Sequence, residues 1–490
     1  MRIQNFDTLT NHGNTVGRRH VAEILGAGLD LVDPYIGVKK LVSLEGDTLV
    51  FDGTDFELAG DPRSGRAEYD LEQYDRVIVI GAAKGVQRGI VALEEILGDR
   101  LTGGHVIAKH GDGILCRKVG VTLAGHPVPD ACCVEGCQAI YEWIKDVTPR
   151  DLVITMMGSG VSSLLTWPVE GVTLEETQLL THILQIEKGA FTSDLNAVRN
   201  HLDRFKGGRI SRCLKGATIV NLFTNDVGGG GSAAPGKRNT YRQVLEKNIF
   251  LATLSDGSTF ADAVNTLHKY DVWDRTPSHI RELLLRADPA EETVKPDEYE
   301  SFNARMFGLT PKLKTVYPAM YAKARELGYA PLMLSECVST EAAPAGIFHA
   351  AIALNVQNTG EPVKAPCVLV SSGESVVTVG VEGGVGGRNQ EFCLAAALKI
   401  AGSSRIVIGA VDTDGTDGPG GFSEPGAPEC LCGAIVDGDT VAEARESGID
   451  LQTALKTHAT SQPLWRLGCG IAATQSISVL DLRVVVIMSE

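Results

Sequence analysis

Two glycine-rich stretches in the last third of the chain hold residues suited to chemistry. The first, Gly386-Gly387-Arg388-Asn389-Gln390-Glu391, precedes the apolar, helix-prone run Phe392–Ile400. Adjacent glycines permit positive φ or close backbone approach to a ligand. A helix start offers N–H groups to an anion. Arg388 adds a permanently charged planar fork for phosphate or carboxylate. The second stretch, Asp414-Gly415-Thr416-Asp417-Gly418-Pro419, follows the strand-like run Arg405–Val411. Two carboxylates in such a loop suit Mg2+, which takes hard oxygen ligands. Alone, the first stretch reads equally well as a turn with a solvated arginine; the second tips the balance toward chemistry.

Three segments of the first half carry similar signals. Gly81-Ala82-Ala83-Lys84-Gly85 links the β-branched run Asp75–Gly81 to an amphipathic helix over Val86–Leu97, placing Lys84 at a strand–helix turn. Neither G-x-G-x-x-G nor a Walker A loop is present. Gly158-Ser159-Gly160-Val161-Ser162-Ser163 follows the apolar run Asp151–Met156, and small hydroxyl residues after a parallel strand often cradle anions through backbone N–H groups. A basic segment, Asn196 to Arg209, contains Arg199 and Lys206. A solvated helix end explains such charge as readily as a binding role.

The elements that must position these residues alternate. Strand-like runs at His105–Lys109, Asp151–Met156 and Ala217–Phe223 are separated by helical patterns at Ala131–Val147 and Leu174–Ala190. That alternation predicts a doubly wound α/β domain with ligands at the carboxyl ends of its strands. Residues 9–46 predict one long helix stopped by Asp33-Pro34. The charged, proline-bearing stretch 275–300 predicts the end of the first domain. Beyond it come a helix at Pro318–Leu327, strands at Pro331–Leu334, Cys367–Val370, Val376–Val381 and Leu482–Met488, and a helix at Ala342–Leu354.

The chain has 490 residues, 43% hydrophobic and 22% charged, with a net charge of -16. That length predicts two domains or three. The acidic balance argues against a nucleic-acid or anionic-membrane surface. The first residues lack the basic and apolar regions of a signal peptide, and no apolar run approaches the length of a membrane span. Among the 11 cysteines, Cys132, Cys133 and Cys137 cluster, and Cys430 and Cys432 form a C-x-C. Neither group has structural-zinc spacing. The odd count points to reduced thiols and a cytoplasmic location.

Taken together, six segments resemble the glycerate 2-kinase family, whose C-terminal half is the MOFRL domain. They are Gly81-Ala82-Ala83-Lys84, Gly125-His126-Pro127-Val128-Pro129-Asp130, Asn196-Ala197-Val198-Arg199, Lys206-Gly207-Gly208-Arg209, Gly386 to Glu391, and Thr413 to Pro419, in the family's order. The resemblance implies a Rossmann-like N-terminal domain over 1–300 and a mixed α/β MOFRL-like domain over 311–490. It implies ATP- and Mg2+-dependent transfer of a phosphoryl group to the 2-hydroxyl of D-glycerate or a related hydroxy acid, in a cleft between the domains. By position, Lys84 and Arg388 match the essential basic pair, and Asp226, Glu374 and Asp414 match acids of the cleft. Lys84, Arg388 and Asp226 are thus expected to be catalytic, and Asp414 and Asp226 to hold the metal. Ser159, Gly160, Ser162, Arg199, Lys206, Glu374, Gly386, Gly387 and Asn389 are expected to bind substrate or nucleotide. A homodimer stays open.

The chain also departs from the family pattern. Val161 stands where the family has a glycine, the acid after Asp226 is missing, and Phe250-Leu251-Ala252-Thr253 replaces Ser-Gly-Pro-Thr. Ser478 stands for an asparagine, and Phe422–Cys432 is inserted. These changes keep open a noncatalytic ligand-binding relative; a hydroxypyruvate reductase, an older label within the family, is a third reading that the missing G-x-G-x-x-G disfavours.

Overall fold

A computed structural model describes residues 2–489 except 54–55, 225–239, 310–312, 380–382 and 479. The chain divides into two compact units, one holding Asp33–Gly230 and Arg238–Pro311, the other Met1–Val32 and Lys312–Glu490.

The first unit is built on six parallel strands: β1 (Arg76–Ala82), β2 (Gly103–Lys109), β3 (Gly120–Ala124), β4 (Asp151–Met157), β5 (Thr218–Phe223) and β6 (Ala304–Gly308). Their spatial order is β3-β2-β1-β4-β5-β6. This is the doubly wound order of a Rossmann-like sheet, which reverses direction between β1 and β4. β4, β5 and β6 are buried along their whole length, as the unbroken apolar runs require when helices cover both faces. A separate antiparallel sheet joins Val42–Glu45, Thr48–Phe51 and Ala67–Asp70.

The second unit holds a mixed sheet of β7 (Ala330–Val338), β8 (Cys367–Gly373), β9 (Ile406–Asp412), β10 (Gly433–Asp437), β11 (Gly470–Ile471) and β12 (Asp481–Ile487), ordered β7-β8-β12-β9-β10-β11. β7 and β8 are parallel and the remaining pairs antiparallel. Alternation along β12 sends Val484 and Val486 to one core and Val485 and Ile487 to the other. Helices Ala342–Thr359 and Arg388–Ile400 fill the Val485 side. The Val484 side is covered by the helix Thr15–Leu31 through Val21, Ile24, Leu25 and Leu29. Each of these four side chains is fully buried, worth roughly 1.5–3 kcal/mol apiece. That burial, rather than chain position, decides where the N-terminal helix belongs.

The expected division into 1–300 and 311–490 therefore shifts at both ends. Residues 1–32 pack with the C-terminal sheet, and β6 lies beyond residue 300 yet completes the parallel sheet. Stretch 275–300 is not a bare linker, since it carries the helices Ser278–Arg286 and Pro296–Glu300. The predicted long helix is two, Thr15–Leu31 and Pro34–Leu41; Asp33 caps the second by accepting from the Tyr35 N–H. The predicted strand Val376–Val381 is not formed over its described residues beyond one bridge from Val376 to Glu341. Pairing of β8 with β12 ends at Gly373–Asp481, so the chain leaves the sheet there.

Candidate functional site

In the parallel-sheet unit, candidate chemistry gathers at the carboxyl ends of β1, β2 and β4, around the point where the strand order reverses. The Lys84 N–H, in the turn after β1, donates to the Ser159 carbonyl after β4 at 2.8 Å. This bond ties together two loops that the sequence leaves separate. Gly160 sits in the left-handed region at φ +82. A Cβ there would lie 3.1 Å from both Lys84 Cγ and His126 Cδ2, so both side chains pack over this glycine. Val161, in contrast, is the first residue of the helical turn Val161–Leu164, with its side chain in the core. The left-handed position is Gly160, and valine at 161 incurs no φ > 0 strain.

A group of cations surrounds His126. Burial pushes its imidazole well below the usual value, and the charges of Lys84, Lys109 and Arg199 lower it further. Lys109, the last residue of β2, is buried. Burial lowers the Arg199 guanidinium to about 10, with Asp203 opposing. Its hydrogen bonds go to the Thr181 hydroxyl at 3.3 Å and to Gln185 at 3.4 Å. Gln185 lies in a π-helical segment, His182–Glu187, that replaces the end of the predicted Leu174–Ala190 helix. Asp112 is raised to about 6 by burial, against the pull of Lys109 and Lys84. Ser162 accepts from Asn196 Nδ2 at 2.9 Å, and the buried Asn196 Oδ1 has no protein partner among the described residues. An imidazole held neutral while Lys84, Lys109 and Arg199 act on it is a charge arrangement suited to anionic oxygen.

Lys206 does not join this group. Its ammonium is buried against Asp203 at 2.7 Å and the Thr166 hydroxyl at 2.8 Å. Asp203 also accepts from the backbone N–H groups of Trp167, Phe205 and Lys206. Lys206 thus locks a turn through a buried ion pair with Asp203. Asp226 lies outside the described residues.

In the second unit the chemistry gathers at the start of the helix Arg388–Ile400. Arg388 Nε donates to Asp481 at 2.8 Å, Nη2 to Asp412 at 2.7 Å and Nη1 to Glu374 at 3.5 Å. Burial opposes its charge, but Asp481, Asp412 and Glu374 outweigh burial and hold it protonated. Asp481 also accepts from the Ser375 N–H, Asn389 Nδ2 and Arg483 Nη2. Arg388 and Arg483 outweigh burial there too and keep this carboxylate below its usual range. Arg388 is thus a hub for three acids at the ends of β8, β9 and β12.

The Asp414 loop closes the group. Asp414 Oδ1 accepts from the Thr416 N–H at 2.7 Å and its hydroxyl at 2.8 Å. Asp417 accepts from the Asn389 N–H at 3.0 Å and the Gln390 N–H at 2.9 Å. The helix N–H groups expected to face an anionic ligand are therefore taken by the protein's own carboxylate. Burial raises Asp417 to about 6, opposed by those hydrogen bonds and by Arg388. Gly387 has extended φ, -161, and a Cβ there would fall 2.4 Å from the Asp417 carboxylate. The glycine is needed for closeness to Asp417, not for left-handed backbone. A Cβ at Gly386 would fall 2.5 Å from the His458 carbonyl. Both glycines are therefore required by close packing against the protein's own atoms. Asn389 spends its amide nitrogen on Asp417 and Asp481, and its buried Oδ1 has no protein partner among the described residues.

The Asp414 loop offers carboxylate and hydroxyl oxygens, the donor types Mg2+ prefers. Among the described residues these acids do not bring three donor atoms within 4.8 Å of one another. Mg2+ does not require that, being commonly held by one or two carboxylates with phosphate oxygens and water. The donor chemistry fits. The Ser478 hydroxyl, where the family has asparagine, bonds with that of Thr413 at 3.0 Å.

Lys109, Asp112, Asp412, Asp481 and Arg483 were not singled out from the sequence. The readable signal was Asp481 and Arg483 in the otherwise apolar run of β12, since charges are rarely buried without partners.

Comparison with known proteins bears on the whole chain. Residues 20–240 match the family described as "Domain of unknown function (DUF4147)", and residues 367–476 match the MOFRL family. A glycerate 2-kinase of Pyrococcus horikoshii is 31% identical over 448 residues, 91% of this chain and 91% of that protein. A D-glycerate 2-kinase of Thermotoga maritima is 31% identical over 396 residues, 80% of this chain and 86% of that one. The crystal structure of a glycerate kinase from Thermotoga maritima has a TM-score of 0.69 and 28% identity, covering 96% of this chain and 99% of that one.

Proposed function

The chain belongs to the glycerate 2-kinase family and is a phosphotransferase of that kind, and from this premise we propose that it uses ATP to phosphorylate the 2-hydroxyl of D-glycerate. The observation that carries this reading is that Lys84 and His126 pack together over Gly160 beyond the carboxyl ends of β1 and β4, with the Lys84 N–H bonded to the Ser159 carbonyl at 2.8 Å. Phosphoryl transfer depends on holding phosphate oxygens in place and neutralising the charge they spread in the transition state. Lys84 and Lys109 are ammonium groups suited to that charge, and Arg199 brings a planar fork. Ser159, Gly160 and Ser162 line the same loop.

In the reaction, the 2-hydroxyl oxygen forms a bond to the γ-phosphorus, the bond to the bridging oxygen breaks, and ADP leaves. The hydroxyl proton passes to a carboxylate, for which Glu374, Asp226 and Asp414 are the candidates. Arg388 fixes Asp412, Asp481 and Glu374 in one charge network, so its role is to orient acids as well as to meet substrate. Asp414 and Asp226 would hold Mg2+, which neutralises phosphate charge when bound. The protein acts in the cytoplasm on a small anionic substrate, without nucleic acid.

The test is ADP formation by the purified protein with ATP and Mg2+, with and without D-glycerate. Lys84→Ala should abolish D-glycerate-dependent turnover while leaving the fold intact. Arg388→Lys keeps a charge but loses the three-way fork, and should lower the rate by at least about 100-fold, as for other misplaced catalytic groups. D-glycerate-dependent turnover that persists in both variants would overturn the assignment.

A further inference from the structure

The same unit holds a second cluster that the phosphoryl-transfer reading does not use. Backbone pairing continues past the end of β2, where the His110 N–H donates to the Ala124 carbonyl at 3.0 Å. This places the imidazole beside the N-terminus of the helix Ala131–Ile144. Asp130 caps that helix, its Oδ1 accepting from the Gly125 and Cys133 N–H groups at 3.0 and 3.2 Å. Asp130 Oδ2 is left facing His110 Nε2 at 2.6 Å. Cys132, the second residue of the helix, brings its thiol alongside. Donor atoms of all three lie within 4.8 Å of one another, and this is the group of three or more such ligands found among the described residues.

We propose that His110, Asp130 and Cys132 bind a divalent transition-metal ion of the Zn2+ type, with solvent completing the coordination. Imidazole nitrogen, thiolate sulfur and carboxylate oxygen together form a borderline-soft set that favours Zn2+ over Mg2+ or Ca2+. Backbone structure holds two of the three positions, because His110 extends a strand and Asp130 is a helix cap. Binding expels the Cys132 thiol proton to solvent and replaces the His110–Asp130 hydrogen bond with two bonds to the metal. His110 is exposed and the other two are partly exposed, which gives an ion a path of entry and leaves room for water. Occupancy would clamp the end of β2, one residue after Lys109, to the loop that carries His126.

The experiment uses full-length protein stripped of metal, with Co2+ as a spectroscopic probe and Zn2+ followed by calorimetry. One equivalent of Co2+ should give a thiolate-to-cobalt charge-transfer band that one equivalent of Zn2+ removes. Cys132→Ser should abolish the band. Cys132→Ser and His110→Gln should each weaken Zn2+ binding by more than the roughly 10–100-fold typical of a lost supporting contact. Both variants leave the Asp130 cap in place, and circular dichroism checks their fold. Cys337→Ser, at an exposed thiol outside the cluster, should behave as wild type. Absence of the band, its persistence in Cys132→Ser, or its loss in Cys337→Ser would overturn the site.

Discussion

Replacing Gly160 by alanine tests whether the loop after β4 positions Lys84 and His126. Gly160 has φ +82, and a non-glycine residue in that region costs roughly 1–2 kcal/mol. The methyl group would also sit 3.1 Å from Lys84 Cγ and from His126 Cδ2, so both side chains must move by a few tenths of an ångström. For domains of this size each kcal/mol lowers Tm by roughly 2–4 °C. Strain alone therefore predicts a Tm loss of a few degrees. Displacing Lys84 adds a kinetic effect, because a reacting group misplaced by about 1 Å can cost about 10²-fold in rate. A shift of a fraction of that predicts roughly a tenfold loss of kcat/KM. Gly171→Ala supplies a matched control. Its φ is +83, and a Cβ there meets nothing within 4 Å. The two variants should melt alike, by calorimetry, while only Gly160→Ala shows the roughly tenfold lower kcat/KM for D-glycerate-dependent ADP formation. Equal kcat/KM for both, with the expected Tm losses, would refute the packing of Lys84 and His126 as part of the active arrangement.

Two further predictions concern the second unit. Asp481→Ala leaves the buried Arg483 and the part-buried Arg388 without their shared carboxylate, and should cost about 3–5 kcal/mol, read as a lower denaturant midpoint. A change below about 1 kcal/mol would mean that the other acids compensate. His349 is buried between the Ala345 carbonyl and the Ser371 hydroxyl. Burial, with a smaller push from Arg483, lowers its pKa to about 4. The unfolded chain then binds this proton first, so stability is present above pH 6.5 and is lost as pH falls toward 4. The full gap is worth about 3 kcal/mol. His349→Gln should flatten that part of the pH–stability curve; an unchanged slope would show that other groups produce it.

Local sequence determined the strands and the chemistry of the loops that follow them. The apolar runs over β1, β4 and β5 had to be buried on both faces, and glycine-rich turns after them had to carry Lys84 and Ser159. The placement of helices Ala131–Ile144 and Arg388–Ile400 was legible for the same reason, since periodicity and capping act within a few residues. The small sheet of Val42–Glu45, Thr48–Phe51 and Ala67–Asp70 was not, because short half-buried strands give almost no pattern. Only the tertiary structure decided which loops meet. It turned Lys206 into a locked ion pair with Asp203, filled the helix start at Asn389 with Asp417, and gathered Asp412, Asp481 and Glu374 on Arg388. It also drew His110 to Asp130 and Cys132, which no cysteine spacing announced. Charges and ligands separated by tens of residues are paired by the register of the sheets, and register is fixed by the burial of the whole core rather than by any one segment.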